Sequence, residues 1–169
     1  MTCSLGASAT AQSTHVHGQG QVSMAIDQNL LSMTLESPGA DIIGFEHEAR
    51  TAEEKAAVRE ALKQLSDPMF VIQLPESASC KVIQASSEVA SENGDEGHAD
   101  HEDHESEAHG SFIAEYQLAC ANIAVIDFIT FVYFGHFRNA QSLMVVLIDK
   151  NGQHRHEINR DIPILFLEK

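Results

Sequence analysis

The sequence predicts an α+β fold, a mostly antiparallel β-sheet with about two helices and a long disordered acidic His-rich loop. Three observations carry this reading. Apolar and polar residues alternate on both sides of turn signals, between Val22 and Leu35 and again between Leu143 and Ile158, which is the period of half-buried strands. Thr51-Ala52-Glu53-Glu54 is a capping box and opens an amphipathic helix. Between Ser86 and Gly110 stand nine carboxylates and four histidines without one Lys or Arg, a composition that cannot pack as a core.

The elements follow in order. Val22, Met24 and Ile26 form the first strand, Asp27-Gln28-Asn29 breaks the pattern, and Leu31, Met33 and Leu35 form the second, stopped by Ser37-Pro38-Gly39. Residues Ile42–His47 read as a short connector. The helix from Thr51 carries Ala57, Val58, Ala61, Leu62 and Leu65 at helical spacing and ends at Asp67-Pro68. Phe70–Leu74 reads as a strand or a packed connector. Cys80–Ile83 and Phe112–Cys120 are strand-like runs flanking the acidic segment. Ile123–Phe134 is apolar on nearly every side; Asn122 as an N-cap and Gly135 as a stop tilt it towards a buried helix. Leu143–Ile148 and Gln153–Ile158 flank Asp149-Lys150-Asn151-Gly152, whose Asn-Gly is a strong hairpin signal. Ile162–Leu167 closes the domain as a strand.

The chain has 169 residues, enough for one domain with its own core, and its formal charge is −15. That charge argues against nucleic acid as a partner. No apolar run reaches the roughly 20 residues of a membrane span, so no membrane insertion is expected. Without residues 86–110 the formal charge falls to −6, so most of the acidity belongs to one loop. The expected organisation is a flexible amino terminus over 1–14 and a single domain over 15–169 with the loop at 86–110.

The first residues are small and uncharged, and Ala9-Thr10-Ala11 fits the pattern that signal peptidase cleaves. We read them as the end of a signal peptide that begins upstream of Met1, which implies export; the alternative is a flexible Ser/Ala-rich terminus. Cleavage after Ala11 discards Cys3 and leaves the pair Cys80 and Cys120. A disulfide between them, worth about 4 kcal/mol in the chain-entropy model, is expected to hold the mouth of the acidic loop. The alternatives are two buried thiols or two metal ligands.

The loop histidines His98, His101, His104 and His109, interleaved with Asp100, Glu102, Asp103 and Glu105, are the main candidate ligands. Imidazole is a common zinc ligand at neutral pH, and carboxylates complete or orient the shell. The three-residue spacing of the first three gathers them on one face if the segment turns helical. His15-Val16-His17 is a second candidate, because positions i and i+2 of a strand face the same way. His154-Arg155-His156 has the same spacing, with Arg155 pointing oppositely; the sequence does not show whether the two pairs converge. His47 is an isolated further candidate, and His136 a weaker one. Met24, Met33, Met69 and Met144 sit in apolar patterns and read as core.

No enzyme is expected. Gly18-Gln19-Gly20 lacks the third glycine and the helix of a dinucleotide site, and neither a nucleophile elbow, a phosphate loop nor His-Glu-x-x-His occurs.

These residues resemble a family. His15-Val16-His17-Gly18, Leu35-Glu36-Ser37-Pro38, Ile43-Gly44-Phe45-Glu46-His47 and the capped helix from Thr51 are similar to the ZrgA-like proteins, zinc-regulated periplasmic proteins of Gram-negative bacteria. The similarity continues through Asp67-Pro68, Cys80, the His/Asp/Glu-rich loop, Tyr116–Cys120 and Gly135–Phe137. The resemblance implies zinc as the bound ion, a membrane zinc-transport system as partner, and His15, His17, His98, His101, His104 and His109 as ligands. The function expected is capture of Zn²⁺ by the loop in support of zinc uptake. The alternatives are storage, buffering or sensing of Zn²⁺, Ni²⁺ or Cu²⁺, or an envelope interaction domain with an acidic spacer.

Overall fold

The structure, a computed structural model, describes residues 18–91 and 110–168. Its centre is a six-stranded sheet. β1 (Gln19–Asp27) and β2 (Leu30–Pro38) form the first hairpin, turning at Gln28, whose φ is 52°. β3 (Cys80–Ser91) and β4 (Gly110–Cys120) form the second, and β6 (Ser142–Asp149) and β7 (Gly152–Asn159) the third. The strand order is β3-β4-β2-β1-β6-β7, antiparallel throughout except for the parallel pair β1–β6. A separate two-stranded sheet pairs β5 (Phe128–Thr130) with β8 (Ile164–Phe166).

One face of the large sheet is the core. Alternate residues of the central strands, such as Met24, Met33, Tyr116 and Val145, are at most 2% exposed, as period two requires. Helix α2 (Ala52–Leu65) covers the β3–β4 side of this face. Its capping box is complete, and Ala61 and Leu65 are buried. Polar contacts fix its carboxyl end: Tyr116 Oη donates to the Leu65 carbonyl at 2.6 Å, and Ser87 Oγ to the Leu62 carbonyl at 2.7 Å.

Three expectations are corrected. Ile123–Phe134 is not a buried helix. It makes a 3₁₀ turn (Ile123–Val125), then β5, and only at Tyr133–His136 a single helical turn, α3; α1 is an equally short turn at Gly39–Ile42. The stretch is rich in β-branched and aromatic residues, which favour extended backbone. Its backbone groups also find distant partners: Thr130 exchanges two hydrogen bonds with Gln73, Phe131 N–H donates to Pro163 and Tyr133 N–H to Val71. Phe70–Leu74 is accordingly a connector, with Val71 and Ile72 fully buried.

The second correction concerns the disulfide. Cys80 and Cys120 are bonded and face each other across β3 and β4. The mouth of the acidic segment, however, is Ser91 opposite Gly110, at the other end of the hairpin. Eleven residues of strand, about 36 Å, separate the two. The bond therefore staples the hairpin's far end and does not hold the mouth. β3 also runs through Ser86–Ser91, the first part of the segment read as loop. Thirdly, Met69 is 49% exposed and Met144 is half-buried, out of phase with the buried Leu143 and Val145 of β6, so neither belongs to the core.

The segment from Phe131 to Ala140 buries Phe131, Tyr133, Phe134, Phe137 and Ala140 and is riveted by Arg160. That guanidinium donates to the carbonyls of Phe134, Phe137, Arg138 and Ala140 at 2.7–3.2 Å. Deeper in, Tyr133 Oη and Ser37 Oγ share a buried hydrogen bond of 2.7 Å.

Candidate functional site

Antiparallel pairing decides which chain ends meet. β1 begins, β2 ends, β3 ends and β4 begins at the same end of the sheet. Gly18, to which the His15-Val16-His17 segment is joined, and Gly110, to which His109 is joined, are therefore attached on either side of the end of β2. Two strand spacings, about 10 Å, lie between β1 and β4.

Local chemistry fixes both attachments. Gly18 has φ +83°, a conformation that favours glycine, and its N–H donates to the carboxylate of buried Asp41 at 2.8 Å. Its carbonyl accepts from Gln141 and Ser142, both at 2.9 Å. Gly110 N–H donates to the Glu46 carbonyl at 3.2 Å. Gly39 permits this approach, because a Cβ there would stand 2.6 Å from the Phe45 oxygen and 2.9 Å from the Gly110 oxygen.

His47 lies at the same end. Its ring stacks on Phe45 with centroids 4.7 Å apart, Nδ1 is 3.0 Å from the Glu48 carbonyl, and Nε2 is 3.9 Å from Glu54 Oε1. Glu54 is held by its other oxygen, which accepts from Thr51 N–H at 3.0 Å and Arg50 N–H at 2.7 Å. Those two bonds, Thr51 first, hold its pKa below the ordinary 4.5. A cavity of about 440 Å³ opens here, with Phe45, Val58, Val89 and Phe112 in its walls and Glu46, His47 and Glu48 also lining it. Among its described lining residues there is no Lys or Arg.

The second His-x-His pair lies elsewhere. His154 and His156 are on edge strand β7, on the same side, with ring centroids 6.4 Å apart; Arg155 between them is exposed on the other face. His156 pairs with Val145, three residues from the Ser142–Gln19 level, and β7 is two strands from β1. It thus stands about 10 Å along and 10 Å across from the start of β1. His136 packs against Phe70, with ring centroids 4.7 Å apart.

Among the described residues, no three His, Cys, Asp or Glu side chains are placed to hold a metal ion. The principal candidates His15, His17, His98, His101, His104, His109, Asp100 and Asp103 lie outside the described residues. Two acidic neighbours escaped the sequence reading. Glu54 beside His47 was hidden behind its role in the capping box, and Asp149 beside His154 needed the hairpin register; its Oδ1 is 3.8 Å from His154 Nε2. The first was open to inference from the box itself, which turns a glutamate back towards residues just before the helix.

Among the described residues no helix is long and apolar enough to cross a membrane. No curated protein matches the chain. The sequence profile of the ZrgA family of zinc uptake proteins matches residues 14–167, nearly the whole length and including both histidine-bearing segments. The chain belongs to the ZrgA family of zinc uptake proteins.

Proposed function

We propose that this is a periplasmic zinc-binding protein that captures Zn²⁺ through His98, His101, His104 and His109, with Asp100 and Asp103, and delivers it to a membrane zinc transporter. His15 and His17 are a second group of ligands serving the same end of the sheet. The observation that carries the reading is the common attachment of both histidine-bearing segments beside the end of β2, through Gly18 and Gly110. Family membership supplies zinc uptake as the setting. Carboxylates interleaved with imidazoles raise the local cation concentration, and neutral imidazoles then coordinate.

The test is zinc titration calorimetry on the metal-stripped protein and on a variant lacking residues 95–109. Loss of most zinc binding with an unchanged circular dichroism spectrum is expected. Binding that survives the deletion in full would remove the loop from the mechanism. Replacing His15 and His17 with Ala in the deletion variant should then abolish what binding is left at this end. Delivery, as opposed to storage, is tested by whether the zinc-loaded protein restores uptake to cells lacking it while the deletion variant does not.

A further inference from the structure

The cavity beside His47 is not used by the zinc-capture reading. Val89 and Phe112 face each other in its wall across β3 and β4, Phe112 2% exposed and Val89 40% exposed. Val58 of α2 and Phe45, whose ring stacks on His47, add to the apolar lining. The volume, about 440 Å³, falls within the range of ligand sites, about 300–1,000 Å³. Glu46 and Glu48 line it as well, and among the described residues no Lys or Arg does. Apolar walls with acidic groups beside them select an occupant that is itself apolar and carries positive charge next to the apolar group.

The rest of the chain does not supply that occupant. Residues 92–109, joined to the sheet at Ser91 and Gly110, have only Ala99 and Ala108 as apolar residues, are rich in carboxylates and hold no Lys or Arg. Residues 1–17 also lack Lys and Arg. Lys169 follows Glu168, whose carbonyl accepts from Asn151 Nδ2 at 3.0 Å in the β6–β7 turn. Because β6 runs parallel to β1, that turn lies at the opposite end of the sheet from Gly18 and Gly110. We propose that the cavity is the docking site for a segment of a partner protein that presents an aromatic side chain flanked by Lys or Arg. The ring enters between Phe45, Val58, Val89 and Phe112, where aromatic walls suit it, and a flanking cation lies against the exposed Glu48. Gly110 is part of the wall, so a docked partner stands beside the point where the histidine-bearing segment rejoins the sheet. The capture reading makes that partner the membrane zinc-transport system; this identification rests on that reading, and the docking site does not.

The experiment is a titration of the full, metal-stripped chain, labelled at its valine methyl groups, with a short peptide whose central phenylalanine is flanked by lysines. Peptides with glutamates in place of the lysines, or alanine in place of the phenylalanine, are the controls. The first peptide is expected to shift the Val58 and Val89 methyl signals to saturation and to bind about tenfold or more tighter than either control. Val89→Arg should lose this binding and Glu48→Lys should weaken it severalfold, both with melting temperatures near the parent's, because both side chains are exposed. Methyl signals that stay still, peptides that all bind alike, or a Val89→Arg variant that binds like the parent would overturn the proposal. Binding is read without metal, so its failure leaves zinc capture to be judged by calorimetry. Peptide binding by a chain that captures no zinc would uphold the docking site and remove only the transport system as its partner.

Discussion

The backbone N–H of Gly110 donates to the carbonyl of Glu46 across 3.2 Å, joining the point where the chain returns from its acidic segment to the segment that carries His47. The contact depends on the bare Cα of Gly39 beneath it. Gly39→Val should therefore push the Phe45–His47 segment away from β4 and cost about 1–3 kcal/mol, the usual penalty of overpacking. Gly135→Ala is the control, since an added Cβ there meets nothing within 4 Å. Thermal unfolding of both variants checks this; equal melting temperatures would remove Gly39 from the account.

Because Cys80 and Cys120 close the far end of the β3–β4 hairpin, the disulfide should matter for stability and not for metal capture. Cys80→Ser with Cys120→Ser is expected to lose about 4 kcal/mol in denaturant unfolding, by release of a loop of about 40 residues in the unfolded chain. Zinc affinity of the still-folded variant, by calorimetry, should stay within about twofold of the parent. A large drop in affinity with the fold intact would show that the bond does reach the mouth.

The hairpins and α2 were legible because each carries its own instruction: alternation about Asp27-Gln28-Asn29 and Asn151-Gly152, and a capping box at Thr51. Ile123–Phe134 carries none. Its backbone is satisfied by Val71, Gln73 and Pro163, between about 30 and 60 residues away, and an all-apolar run contains no trace of those partners. The disulfide partners were legible by counting. Their position was not, because Ser86-Ser87-Glu88 reads as loop until β4 supplies a strand for it to pair with. At the candidate site the shared end of the sheet follows only from strand order, which puts β1 and β4 on either side of β2.

Arg160 should be hard to replace. Four carbonyls around Phe134–Ala140 depend on one guanidinium, and its planar fork cannot be reproduced by an ammonium group. Arg160→Lys is expected to cost about 2–3 kcal/mol, in the range for lost hydrogen bonds to a charged donor. Hydrogen exchange should localise the loss to the 133–140 segment. Uniform loss across the sheet would mean that Arg160 acts globally.

Tyr133 and Ser37 should show strong coupling. Tyr133→Phe leaves the Ser37 hydroxyl buried without its partner, and Ser37→Ala does the same to the tyrosine, each at about 1–3 kcal/mol. The double variant leaves neither group stranded and should be destabilised by clearly less than the sum. Additive losses in chemical denaturation would show that the 2.7 Å bond contributes nothing by itself.

Acid should loosen the start of α2 through Glu54. Its folded pKa is depressed below the ordinary 4.5 because the carboxylate accepts the Thr51 and Arg50 N–H groups. A depressed carboxylate binds protons less readily when folded than when unfolded, so its stabilisation is present in full above the unfolded pKa. It is lost as pH falls through 4.5 towards the lower folded value. The neutral amide of Glu54→Gln can still accept from the N-cap backbone, so the box persists without the charge. The variant should melt slightly lower than the parent at pH 7, and the gap should narrow as pH falls below 4.5 towards the lower folded value. Melting curves across that range decide the matter: a gap that stays constant with pH would mean that the glutamate's charge plays no part in holding the helix end.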